Sequence, residues 1–201
     1  MELLRGNIKT LYFKYLSAAF GSALISSIYG IVDMAMVGQY QGPDGTAALA
    51  VVAPVWNVIY SIGLLMGIGG SVIFSTKRGS GMSADGEDDR YFTAAVIGSV
   101  ILAALAWVGL ILFERPLLMF FGTDETLLAL AQRYMIPVKV VFPLFLFNQM
   151  LAAFLRNDGA PALATLGVLS GGIFNVLGDW FFVFPCDMGV YGAGLATALG
   201  S

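Results

Sequence analysis

The chain has 201 residues, of which 58 % are hydrophobic and 11 % charged, against roughly 25 % charged in an ordinary soluble domain. A single soluble domain needs more surface charge than this, so the composition indicates an all-α integral membrane protein. Histidine is absent, there is one cysteine and the net charge is −3, which removes His-based zinc and nucleophile chemistry, an internal disulfide and an electrostatic basis for nucleic-acid binding.

A helix needs about 20 mostly apolar residues to cross ~30 Å of hydrocarbon. The first predicted span covers 11–37 and holds one acid, Asp33; it is too long for a cleaved signal and is expected to stay as an anchor. The second, 49–76, lies in a charge-free stretch from Ala47 to Thr76, and the third, 91–113, is also free of charge. The fourth, 130–155, carries Arg133 and Lys139, and the fifth, 160–184, carries Asp179. A sixth apolar run, 190–201, reaches only ~18 Å at 1.5 Å per residue. The expected fold is therefore a six-helix bundle, five complete spans plus a truncated sixth, in a chain that is a fragment of something longer.

Lys and Arg flanking the spans set orientation. Arg5, Lys9 and Lys14 precede the first helix, Lys77, Arg78 and Arg90 separate the second from the third, and Arg156 follows the fourth. Arg115 and Arg133 fall on the other side. This bias predicts a cytoplasmic N-terminus, with the acidic run Asp85-Gly86-Glu87-Asp88-Asp89 as a solvated cytoplasmic loop. Cys186 reads as a passive loop residue.

Small residues and prolines are the next signal. Gly63, Gly67, Gly69 and Gly70 on the second helix, and Gly167 and Gly171 on the fifth, form strips along which backbones can approach in lipid. Without a preceding strand the glycines from Gly67 to Gly70 are no dinucleotide loop. Pro54, Pro137 and Pro143 lie inside spans, where each removes a backbone hydrogen bond; hinges and static bends are equally good readings. Pro161 suits the first turn of the fifth helix.

Asp33 and Asp179 carry the functional signal. An ionisable group in hydrocarbon costs at least ~2.5–3.5 kcal/mol on insertion scales and marks a cavity, a partner or an ion. Counted from Lys14 and from Ala160, each carboxyl stands ~28 Å above its helix start, towards the outer side. Tyr29 and Asn175 precede the two acids by one turn on the same faces, and the sixth helix descends with Thr197. Two carboxylates, an amide oxygen and hydroxyls suit a hard cation such as Na⁺, held by Asp33, Asn175, Asp179 and Thr197. They equally suit proton storage, because a like charge and burial both favour a neutral carboxyl. The rival reading puts both acids at the headgroup interface, Tyr29 in aromatic packing there and Thr197 in helix packing. Lys139 reads as a paired or snorkelling side chain.

Four segments resemble the MATE family of multidrug and toxin extrusion transporters: Tyr29-Gly30-Ile31-Val32-Asp33-Met34-Ala35-Met36-Val37-Gly38, Arg156-Asn157-Asp158-Gly159-Ala160-Pro161, Asn175-Val176-Leu177-Gly178-Asp179 and Tyr191-Gly192-Ala193-Gly194-Leu195-Ala196-Thr197. The resemblance covers the whole chain. It implies twelve helices in two six-helix lobes, with residues 1–201 as the N-terminal lobe and the C-terminal lobe missing. It implies a transporter in the cell membrane, not an enzyme, with no cofactor beyond the coupling ion. The activity implied is antiport: entry of H⁺ or Na⁺ drives export of organic, often cationic, compounds. Tyr29, Asp33, Asn175, Asp179 and Thr197 match the family's cation-coupling cluster.

Two other readings keep some of the same features. A lipid-linked saccharide flippase of the same superfamily would want more basic residues facing a central cavity, where Lys139 and Arg133 are the only candidates. An intramembrane aspartyl protease would use two membrane acids as a dyad, but Val176 occupies its first glycine position before Gly178-Asp179, and three residues part Tyr29 from Asp33.

Overall fold

The computed structural model describes residues 7–80 and 89–200, the side chain of Ser26 excepted. Arg5, the run from Asp85 to Asp88, and Ser201 lie outside the described residues. Every regular element among the described residues is a helix.

α1, Ile8–Gln41, starts where the Asn7 side chain accepts from the Lys9 amide. It stops at Gly42, whose φ of 75° is open to glycine and whose amide returns to the Gly38 carbonyl. Pro43 then opens α2, Pro43–Ser80, so one glycine is the whole connection. α2 begins well before the apolar stretch because Gly42-Pro43, not hydropathy, sets its start.

α3, Asp89–Phe120, runs past the expected end at 113. Pro116 cannot donate to the Leu112 carbonyl, so the chain leaves helical geometry at Phe113 (φ −115°, ψ 16°) and then resumes. The apolar run ends at this bend while the helix continues. Asp124 caps α4, Glu125–Asn157, by accepting from the amides of Thr126 and Leu127. Pro137 and Pro143 lie inside α4 without breaking it. Pro161 opens α5, Pro161–Val183, and a tight turn with Asp187 at φ 52° leads into α6, Gly189–Gly200.

α4 is the central post. α2 and α3 pack on one side of it and α6 on the other, while α5 packs against α1 and α6. Val37, Val52, Ile59, Leu118, Leu128, Met135, Val138, Phe142, Val183 and Val190 form one apolar core. A second cluster of Phe74, Ala95, Met150 and Phe154 ties α2, α3 and α4 together nearer the other end. Outside, Leu105, Leu112, Val140, Leu144, Leu166 and Leu177 are exposed. Side chains of this kind all round a bundle face lipid, and five of the helices are long and apolar enough to span a membrane.

The glycine strips are only partly contact surfaces. A Cβ on Gly63 would press on the Leu146 carbonyl and Gln149, one on Gly67 on Met150 and Ala153, and one on Gly70 on Ala95 and Phe154. Gly69 and Gly167 face open space, which corrects their assignment to the strips. Spacing found the α2–α4 seam but could not say which neighbouring glycine lay on it. Gly171 does meet α6, at the Gly200 carbonyl.

Candidate functional site

α1 presents Asp33 one turn before Val37, on the narrow face that this helix buries. α5 presents Asn175, Gly178 and Asp179 on its buried face. Asp179 is fully buried, Asn175 is 3 % exposed and Asp33 is 7 % exposed, so neither acid lies in headgroups or bulk solvent. The two carboxyls are close enough to interact electrostatically.

α6 reaches the site because it is almost without side chains where it passes α4 and α5. A Cβ on Gly194 would overlap the Tyr134 carbonyl, and one on Gly192 would crowd the Phe182 backbone. This close approach brings Thr197 to Asn175, whose amide donates to the Thr197 hydroxyl at 3.1 Å.

A residue that the sequence reading passed over closes the cluster. Tyr134 of α4 is 3 % exposed, and its hydroxyl donates to Oδ2 of Asp33 at 2.9 Å. The same hydroxyl lies 3.0 Å from Oγ1 of Thr197. A phenol has one proton to give. Tyr134 gives that proton to Asp33, Asn175 donates to the Thr197 hydroxyl, and Thr197 also bonds the Asp33 carboxyl.

Four oxygens in this cluster have no hydrogen-bond partner: Oδ1 of Asp33, Oδ1 of Asn175 and both carboxyl oxygens of Asp179. Unpaired buried polar atoms cost about 1–3 kcal/mol each, more when charged. Four of them in one place leave room in the hydrogen-bond network for a proton, a cation or a water.

Of the five residues expected here, four meet. Tyr29 sits a turn earlier on α1, half-buried, with its ring beside Gly172 of α5. Lys139 is not at the site; its ammonium pairs with Glu114 at 2.8 Å on the α3 side of α4. Cys186 is exposed in the α5–α6 turn. The signal that could have found Tyr134 was a hydroxyl only four residues inside the fourth predicted span. It was masked because tyrosine is common at membrane interfaces.

A family model described as MatE matches residues 18–181, from the middle of α1 to the end of α5. The chain belongs to the MatE family. It is 25 % identical over 178 residues to the multidrug export protein MepA of Staphylococcus saprophyticus, covering 88 % of this chain and 39 % of that protein. MepA of Staphylococcus aureus strain MSSA476 is 25 % identical over 177 residues with the same coverage. The chain thus spans about two fifths of the length of these curated relatives. Its fold is similar to a crystal structure of MATE in the bent conformation, with a TM-score of 0.89, 24 % identity and coverage of 99 % of this chain and 44 % of the other. An outward-facing multidrug resistance MATE transporter of the MOP superfamily gives a TM-score of 0.88 at 24 % identity, with the same coverage. This MatE-family chain is therefore an all-helical membrane bundle from a family of multi-pass transporters.

Proposed function

We propose that this chain is the N-terminal lobe of a secondary antiporter that exports drugs or other toxic organic compounds in exchange for H⁺ or Na⁺. The observation that carries the reading is the pair of buried carboxyls, Asp33 and Asp179, with three unpaired oxygens between them and a fourth on Asn175. A carboxylate inside a lipid-shielded bundle is tolerated when a proton or a cation neutralises it. The names of the MepA relatives supply the cargo class; the cargo expected here is organic and cationic.

Cation entry at the pair from the outer side changes the packing of α1 against α5 and α6. That repacking weakens binding of the exported compound, which leaves outward. The lobe then rocks against a second, C-terminal lobe to expose the site inward. Coupling requires that the cation bind the two states unequally. The N-terminus is cytoplasmic on this reading, supported by Lys9, Lys14, Lys77, Arg78, Arg90 and Arg156 falling on one side. The membrane is the cell membrane.

The Glu114 partner of Lys139 weighs against a saccharide flippase, because it removes one of the two basic side chains such a cavity would use. Family membership weighs against a protease dyad.

The test is ethidium efflux from cells expressing the full-length protein. Asp33→Asn and Asp179→Asn are each expected to abolish cation-driven efflux while the protein still reaches the membrane. Wild-type rates in both variants would overturn the proposal.

A further inference from the structure

A second intramembrane polar assembly lies between α3 and α4, away from the carboxyl pair. Pro143 has no N–H, so the carbonyl four residues earlier, that of Lys139, loses its helical donor. In a membrane such an orphan acceptor costs several kcal/mol unless something else satisfies it. The Trp107 indole N–H does so, donating to the Lys139 carbonyl at 2.6 Å. Glu114, two turns along α3 on the same face, takes the other end of the same residue. Its carboxylate oxygens lie 2.8 and 2.9 Å from the Lys139 ammonium, with the two side chains only 12 % and 24 % exposed. One lysine is thus held at its backbone and at its head group by one helix.

The held segment leads to the cation site. Between Lys139 and Tyr134 lies Pro137, whose ring stands against Gly194 of α6, the glycine that also meets the Tyr134 carbonyl. The stretch of α4 from Tyr134 to Pro143 is gripped by α3 on one side and by α6 on the other.

We propose that Trp107, Glu114 and Lys139 form a two-point clamp that holds α4 where Pro143 leaves its backbone hydrogen bond open, and so aims Tyr134 at Asp33 and Thr197. They are positioning residues for cation binding, a role that rests on the antiport reading. Trp107→Phe keeps the aromatic bulk and removes only the N–H. Glu114→Gln with Lys139→Met removes the ion pair without leaving a lone charge.

The experiment is cation-driven ethidium efflux by the full-length protein in proteoliposomes, as a function of H⁺ or Na⁺ concentration. Loss of one hydrogen bond predicts that Trp107→Phe shifts the half-saturating cation concentration by about threefold to tenfold with the saturated rate kept. The Glu114/Lys139 double variant is expected to shift it in the same direction. In a Tyr134→Phe background the Trp107→Phe shift should vanish, since there is no hydroxyl left to aim. An unchanged cation dependence in Trp107→Phe, or a shift that persists in full without the Tyr134 hydroxyl, overturns the clamp.

Amide hydrogen exchange of residues 134–145 separates this from failure of the antiport reading. If wild-type efflux shows no cation dependence, the antiport reading falls and exchange decides the clamp. Faster exchange in Trp107→Phe supports it, and exchange equal to wild type overturns it.

Discussion

Tyr134 shows how much one hydroxyl does inside a dry bundle. It donates to Asp33 and shares a hydrogen bond with the Thr197 hydroxyl, so Tyr134→Phe strips a buried carboxyl of a donor and a buried hydroxyl of a polar partner. Each loss is worth on the order of 1 kcal/mol or more. The half-saturating cation concentration for efflux is expected to move about tenfold in Tyr134→Phe, with protein levels unchanged; a cation titration in proteoliposomes measures it. The two acids, Asn175 and Thr197 were legible because a charge in an apolar run is conspicuous and a helix repeats its face every three to four residues. Tyr134 was not, because a tyrosine in a membrane helix is ordinary and only tertiary packing brings its hydroxyl across to Asp33 of α1.

Helices were legible to a different degree. Apolar runs located all five spans and the sixth helix, yet the ends of α2, α3 and α4 differ by several residues from hydropathy. Turn chemistry set those ends instead: Gly42-Pro43 starts α2, Asp124 starts α4, and Pro116 bends α3 where the apolar run stops. Close approach of helices was legible as small-residue spacing but not in detail, as Gly69 and Gly167 show. The difference can be measured. Gly194→Ala drives a methyl into the Tyr134 backbone and is expected to destabilise the protein by roughly 1–3 kcal/mol. Gly69→Ala meets open space and gains helix propensity, so it is expected to be neutral or to stabilise by about 0.5–1 kcal/mol. Thermal unfolding of both variants in detergent gives the comparison.

At the largest scale, the bundle has a polar heart and a lipid-facing skin. Its exposed turn between α5 and α6 carries Cys186, the single cysteine of this chain. On the proposed topology, with a cytoplasmic N-terminus, that turn is extracellular. A membrane-impermeant maleimide is therefore expected to label Cys186 on intact cells, with Cys186→Ser in the full-length protein as the control. Labelling of this position only after permeabilisation would invert the topology.

The central claim is that the coupling cation acts at the buried Asp33–Asp179 pair. Infrared difference spectroscopy of the purified full-length protein, recorded as H⁺ or Na⁺ is added, follows carboxyl groups directly. The account predicts a cation-induced change in the carboxyl bands of the wild type that is missing from the Asp33→Asn/Asp179→Asn double variant. The same change in the double variant, or none in the wild type, would contradict it.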